Sequence, residues 1–345
     1  MPEIHTHWME DFFLAASAGT LPAPPSAWWV TTRACNLACK YCFSNGGTCS
    51  PDELTTEEAI TVLNDFAESG VVFVTFLGGE PLCRRDIFDL INYATDLGIY
   101  AAILTNGLLV TEKTITRLQE VGCEMVGVSI DHDDPAIHDT IRGRDGSLEA
   151  ARRTVRMAIE AGIRTSVRIV VTPDNYQVIP RLFRWALDQG VDELILLPLF
   201  VVGRAQGNDD RKRDLFYRKL FIHTLDELRE MATAMGIHIP ENRHACSQTI
   251  ELNQVGTERH HAAHALGIVW SSGCKVGKYS VSVQPNGDIH PCPFVPVSIG
   301  NLRQQCIREI WQTPLLKQAR INRVGCMARA LIHRGVPEQP DPTYT

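Results

Sequence analysis

The chain has 345 residues, is 44% hydrophobic and 21% charged, and carries a formal net charge of −7. This composition suits a globular protein with a sizeable core and excludes disorder, collagen-like repeats and coiled coil as the main architecture. The acidic balance argues against nucleic acid as a partner; no apolar run spans a bilayer and no export signal opens the chain, so a cytoplasmic place with no membrane partner is expected.

The eleven cysteines are therefore read as reduced thiols, metal ligands or core residues rather than disulfides. Residues 1–26 read as a short leader, and the Pro-rich stretch 21–25 as a semi-rigid linker. A strand is predicted over 28–31. Thr55-Thr56-Glu57-Glu58 starts a helix with good N-terminal chemistry. The apolar, β-branched run 71–77 suits a buried parallel strand. A helix follows over 86–97, a strand over 100–104, and a helix over 111–121 with Thr111 as N-cap. The next elements are a strand over 125–130, a helix over 148–161, a strand over 165–171 and a helix over 176–188. A strand over 193–197 and the charged helical stretch 211–235 complete six strand–helix units. This alternation predicts an α/β fold, a parallel barrel or open half-barrel, with chemistry at the C-terminal ends of the strands.

After about residue 239 the pattern changes. A hairpin is predicted from a strand over 279–283, the turn Pro285-Asn286-Gly287 and a strand over 288–290. Helical segments follow near 302–311 and 314–321. Residues 240–345 read as a separate small module that contains cysteine, next to a core barrel over 27–239.

Cys35, Cys39 and Cys42 follow the first strand in Arg-Ala-Cys-Asn-Leu-Ala-Cys-Lys-Tyr-Cys-Phe. Three thiolates so close can wrap one inorganic centre. Zinc wants four ligands and no fourth is adjacent; a four-iron cluster held by three Cys leaves one iron open. Core thiols or a zinc loop are the alternative readings. The Cys-x3-Cys-x2-Cys spacing, with Tyr41 before the third Cys, resembles the signature of the radical S-adenosylmethionine (SAM) enzymes. The resemblance covers about residues 27–235. It implies a (β/α)6 partial TIM barrel and a [4Fe-4S] cluster whose open iron is chelated by SAM. It also implies reductive cleavage of SAM to a 5′-deoxyadenosyl radical that takes hydrogen from a substrate.

Gly78-Gly79-Glu80-Pro81 follows the second strand. Glycines permit close backbone approach, and a carboxylate can accept hydrogen bonds from an ammonium. The string resembles the family's motif for the SAM amino group, and Glu80 joins the three Cys as an expected catalytic residue. Asn106 ends the third strand, and Ser129 and Asp131 end the fourth. The resemblance makes them SAM contacts. Arg142 and Arg168 are candidates for the SAM carboxylate, which a guanidinium binds in bidentate fashion. Each of these polar residues has a structural reading as a cap or an ion pair.

Cys274 and Cys292 flank the predicted hairpin, and Cys326 lies in Gly-Cys-Met-Ala-Arg-Ala. This resembles the SPASM module, a C-terminal extension that holds auxiliary iron–sulfur clusters, in a degenerate form. The ligand supply allows one auxiliary cluster at most, from Cys274, Cys292 and Cys326 with Cys306 or Cys246 as fourth. The alternative is a module that has kept its fold and lost its clusters. Cys306 reads as a core residue of an amphipathic helix, and Cys49, Cys83 and Cys123 as buried or incidental thiols. His244, His260, His261 and His264 have poor zinc spacing.

The expected function is that of a radical SAM oxidoreductase or decarboxylase. Its substrate would be a small biosynthetic molecule of sugar, nucleoside or tetrapyrrole type, and its electron donor a flavodoxin or ferredoxin. The leader is short for a peptide-recognition domain, and the string around Cys326 resembles haem-pathway members. A maturase of a ribosomal peptide, a non-catalytic iron–sulfur carrier and a zinc protein are the alternatives.

Overall fold

The computed structural model describes residues 20–208, 210–239, 247–252 and 279–321, with backbone alone for 210, 211 and 318–321. Six parallel strands pair in chain order: β1 (Ser26–Val30), β2 (Phe73–Leu77), β3 (Tyr100–Thr105), β4 (Met125–Ser129), β5 (Arg164–Val171) and β6 (Glu193–Pro198). Between them run α1 (Thr56–Ser69), α2 (Ile87–Asp96), α3 (Glu112–Glu120), α4 (Pro135–Arg142), α5 (Ser147–Glu160) and α6 (Ile179–Gln189); α7 (Asp210–Ala234) follows β6. This is the partial TIM-barrel α/β fold that the alternation predicts.

Local chemistry accounts for the ends of these elements. The Thr55 hydroxyl accepts from the Glu58 N–H while the Glu58 carboxylate accepts from the Thr55 N–H, so α1 opens with a capping box. It closes on Gly70 at φ 87°. Thr111 caps α3 in the same way. The helix α4 was not predicted. Asp134 caps it, Pro135 sits in its first turn and Gly143 ends it.

Alternation along the strands divides the apolar residues between two faces. On the helix-covered face Trp29 stacks on Phe76 at 5.9 Å and meets the edge of Phe66 at 6.1 Å. On the lumen face Phe73, Tyr100, Ala102, Met125 and Ile195 form a second buried cluster. Beside them, at the N-terminal ends of β5 and β6, Arg164 pairs with Glu193 at 3.0 Å.

The sheet does not end at the barrel. β7 (Gln248–Glu251) adds to β6 antiparallel, and β8 (Ser280–Val283) adds to β1 parallel. β9 (Asp288–His290) pairs back on β8, and β10 (Gly300–Asn301) on β9, giving one sheet in the order β10-β9-β8-β1-β2-β3-β4-β5-β6-β7. The predicted hairpin is present, with Gly287 at φ 84° in its turn. It is not separate from the barrel, because the free edge of β1 supplies its hydrogen-bond partner.

Two further readings are corrected. The stretch 21–25 is no linker: Leu21 and Ala23 are buried, Pro25 O accepts from Val72 and Phe73, and Leu21 O accepts from Trp311 Nε1 at 2.9 Å. The helix expected over 302–311 forms as α8 (Ile307–Trp311), followed by α9 (Pro314–Ile321). Cys306 is exposed at the α8 N-cap, outside the first turn, and so is not in the core. No helix among the described residues is long and apolar enough to cross a membrane.

Candidate active site

Cys35, Cys39 and Cys42 all line one cavity at the C-terminal mouth of the barrel, and none is in a disulfide. The loop that carries them has almost no regular structure, so its backbone groups find partners elsewhere. Gly47 N donates to Arg33 O and Cys35 N to Gly47 O, both at 2.8 Å. Ala38 and Lys40 donate to the carbonyls of Arg142 and Ile141 at the end of α4. Gly79 and Glu80 donate to Thr32 O and Ala34 O. The thiols receive weak bonds from backbone N–H groups, Leu37 to Cys35 Sγ and Gly46 to Cys42 Sγ, each at 3.4 Å. Burial pushes the Cys35 thiol up to about 11, although the Leu37 N–H works the other way.

Gly78 and Gly79 lie on the cavity wall, but the reason for glycine differs from the expected one. A Cβ on Gly78 would stand 2.6 Å from Thr32 O, and one on Gly79 would stand 2.3 Å from Ala34 O. The glycines are needed so that the strand end can pack against the Cys loop. The Glu80 carboxylate is fully buried and is not part of the cavity lining. It accepts from Leu82 N at 3.2 Å, Thr105 Oγ1 at 2.8 Å and Asn106 N at 2.8 Å. Burial lifts its pKa to about 7 against these donors. Glu80 thus ties the ends of β2 and β3 together. Pro81 is buried behind it, opening a short 3-10 turn with Cys83.

Asn106 and Ser129 reach the cavity wall. The Asn106 amide donates to Asn36 Oδ1 at 2.8 Å, which joins β3 to the Cys loop. Asp131 does not reach the cavity. It is fully buried, with one oxygen accepting from Val170 N at 2.9 Å and the other paired with Arg142. A carboxylate so engaged holds the guanidinium in place. Arg142 lines the cavity beside Cys39 Sγ, 3.8 Å from its Nη1, and Asp131 holds it firmly protonated despite burial. Arg168 crosses the lumen from β5. Its guanidinium lies 5.4 Å from the Trp28 ring centroid, and a Cβ on Gly127 would stand 2.3 Å from Leu104 Cδ2 and 3.2 Å from Arg168 Nε. Burial lowers its pKa to about 10, so it stays cationic at neutral pH.

The far wall was not legible in the sequence. Leu197 to Phe200 and Phe294 close it. Phe294 stacks on Phe200 at 4.1 Å and meets the edge of Phe43 at 5.4 Å. Cys292 stands two residues before Phe294 and is half-buried. Arg204 also lines the cavity. Cys274, Cys326, Cys246 and the four histidines at 244, 260, 261 and 264 lie outside the described residues. Cys123 is buried and Cys49 exposed.

The donor set fits a metal cluster. Three thiols face one cavity, two of them accept backbone N–H bonds, and cationic Arg142 adjoins them. Among the described residues no three His, Cys, Asp or Glu side chains converge tightly enough to hold a single ion.

A family model described as the radical SAM superfamily matches residues 29–186, and one described as an iron–sulfur cluster-binding domain, SPASM, matches residues 274–331. The chain is 31% identical over 307 residues to a pre-heme d1 synthase of Dinoroseobacter shibae, covering 84% of this chain and 74% of that one. It is 27% identical to an AdoMet-dependent heme synthase of Oleidesulfovibrio alaskensis, covering 82% and 73%. A sporulation killing factor maturation protein of Bacillus subtilis is 24% identical, covering 90% and 70%. Among solved structures, Streptococcus suis SuiB bound to S-adenosylmethionine superposes with a TM-score of 0.67 at 17% identity, covering 94% of this chain and 78% of that one, a likeness of fold.

Proposed function

The chain belongs to the radical SAM superfamily, and on that premise we propose that Cys35, Cys39 and Cys42 hold a [4Fe-4S] cluster for radical chemistry on a small biosynthetic molecule. Members of this superfamily bind such a cluster together with SAM, so the chain is a radical SAM enzyme. When bound, the cluster supplies the electron that cleaves SAM to methionine and a 5′-deoxyadenosyl radical, which takes a hydrogen atom from the substrate.

The protein's own residues then divide the work. The backbone at Gly78 and Gly79 receives the SAM ammonium; Glu80 acts indirectly, by holding Asn106 and the loop end in register. Arg142, fixed by Asp131 and adjoining Cys39, receives the SAM carboxylate. Ser129 and Asn106 contact the rest of SAM from the cavity wall. Arg168 on the lumen side is the second cation available to a carboxylate. The zinc reading is the less favoured one, because structural zinc takes four ligands and the Cys loop supplies three. The carrier reading is disfavoured by the built cavity beside the thiols, which a protein that only passes electrons would not need.

The observation that carries the small-molecule reading is the apolar, aromatic wall of Leu197 to Phe200 and Phe294, beside the Cys loop. It suits a flat apolar body. Tetrapyrroles fit this description better than sugars, and relatives named as heme synthases agree. The reaction class is oxidation or decarboxylation, with flavodoxin or ferredoxin as electron donor in a reducing, cytoplasmic setting. The matching SPASM domain suggests one auxiliary iron–sulfur cluster. Cys274, Cys292 and Cys326 are its proposed ligands, in a module over 240–345 that follows a leader over 1–26 and a barrel over 27–239.

The test is anaerobic turnover with SAM and dithionite against four panels: carboxylated tetrapyrroles, sugars, nucleosides and ribosomal peptides. A mass change in a tetrapyrrole with matching 5′-deoxyadenosine is expected. Turnover of a peptide alone would overturn the substrate reading and favour the maturase, which the Bacillus relative represents.

A further inference from the structure

The Cys loop is also held from a side that none of the sequence motifs touches. After β6 the chain lines the cavity and then turns onto the loop. Gly203 sits there at φ 59°, and a Cβ on it would lie 2.3 Å from Cys42 O and 2.7 Å from Phe43 O. Only glycine permits both the conformation and the approach. The contact brings Arg204 N to 3.0 Å from Cys42 O. The Arg204 side chain then donates from Nε to Cys39 O and from Nη1 to Gly46 O, each at 2.8 Å. One residue therefore satisfies three carbonyls of the loop, and two of these belong to proposed cluster ligands. The guanidinium itself lines the cavity, keeping an exposed edge.

We propose that Arg204 is a positioning residue for the cluster. Its planar fork fixes the segment 39–46 in ligating shape before iron arrives, and its charge favours the reduced state of the loaded cluster. The fork matters because a guanidinium presents two fixed donors to two carbonyls at once, whereas an ammonium is a point charge on a flexible stem. The charge matters because a cation beside a redox centre stabilises the state that carries the additional electron. The second half rests on the cluster assignment above; the first does not.

The test separates the two. In the iron-free protein, iodoacetamide labelling of each cysteine is followed by mass spectrometry in wild type, Arg204→Met, Arg204→Lys and Gly203→Ala. Cys39 and Cys42 should label several-fold faster in all three variants, with Cys123 unchanged. In reconstituted protein, redox titration followed by electron paramagnetic resonance should give a more negative midpoint potential for Arg204→Met, with Arg204→Lys close to wild type. Equal acceleration at Cys123 would mean general unfolding and would overturn the local role; so would unchanged labelling of Cys39 and Cys42. An unchanged potential at full iron content would overturn the electrostatic role. If wild type binds no cluster, the cluster reading fails while the labelling still decides the fork. Should Arg204→Met not fold, Arg204→Lys and Gly203→Ala carry the labelling test, and Arg204→Gln the potential.

Discussion

Two regions of this molecule carry the cysteines that its chemistry would use, and they are built differently. The loop with Cys35, Cys39 and Cys42 is irregular backbone held by bonds from β2, from the end of α4 and from the turn after β6. Cys292 instead follows a regular hairpin that joins the barrel by pairing β8 with β1. Further contacts anchor that hairpin's side. Arg303 grips the Glu58 carboxylate with bonds of 2.7 and 2.8 Å, and Ile307 N donates to Asp65 at 2.7 Å. The first region spends its long-range contacts on the shape of one loop; the second spends them on docking an element. An irregular loop positioned by a rigid scaffold is where catalysis concentrates.

The comparison can be broken outright by cysteine replacement. Cys39→Ala should abolish 5′-deoxyadenosine formation, whereas Cys292→Ala should retain it and lose only part of the bound iron. Equal loss in both, measured by chromatography and iron assay, would show that the regions are not separable in this way.

Next in size is Gly79→Ala. The added Cβ meets backbone at 2.3 Å on Ala34 O and 2.6 Å on Arg33 O, with no flexible side chain to yield. A cost of roughly 3 kcal/mol or more in the loop's native shape is expected, seen as poor iron incorporation. Normal loading would mean that the loop tolerates displacement.

Glu80→Gln should weaken SAM use by about tenfold to a hundredfold, because an amide turns one acceptor into a donor facing N–H and O–H groups, at about 1–3 kcal/mol. The chemical step should survive, since Glu80 is not part of the cavity lining. Complete loss of SAM cleavage with intact iron would instead make Glu80 a direct contact.

A smaller effect separates the barrel floor from its mouth. Burial raises Glu193 from 4.5 to about 7 even with Arg164 opposing. A carboxyl with a raised folded pKa contributes stability that is fully present below about 4.5 and lost as pH rises through about 7. Wild type should therefore lose thermal stability relative to Glu193→Gln between pH 5 and pH 8. Parallel melting profiles would contradict this. Smallest of all, exposed Cys306→Ser should leave iron content unchanged.

Much of this was legible in the sequence. The β-branched runs before each helix gave the barrel, and Thr55 and Thr111 announced their caps. The Cys spacing pointed to one centre, and the three thiols do share a cavity. A motif names residues without saying which protein groups their side chains meet; those of Glu80 and Asp131 include groups at β3, β5 and α4. The helix α4 escaped because Pro-Ala-Ile-His-Asp-Thr-Ile-Arg has weak apolar periodicity, although Asp134, Pro135 and Gly143 mark its ends. Arg204 had no signal at all, since the carbonyls it holds lie 165 and 158 residues away in the chain.

The most direct test of the central claim is 5′-deoxyadenosine formation by the anaerobically reconstituted chain supplied with SAM and dithionite. The account predicts product from wild type and none from Cys35→Ala, Cys39→Ala or Cys42→Ala. Absence of product from an iron-loaded wild type, or product that persists in all three variants, would contradict it.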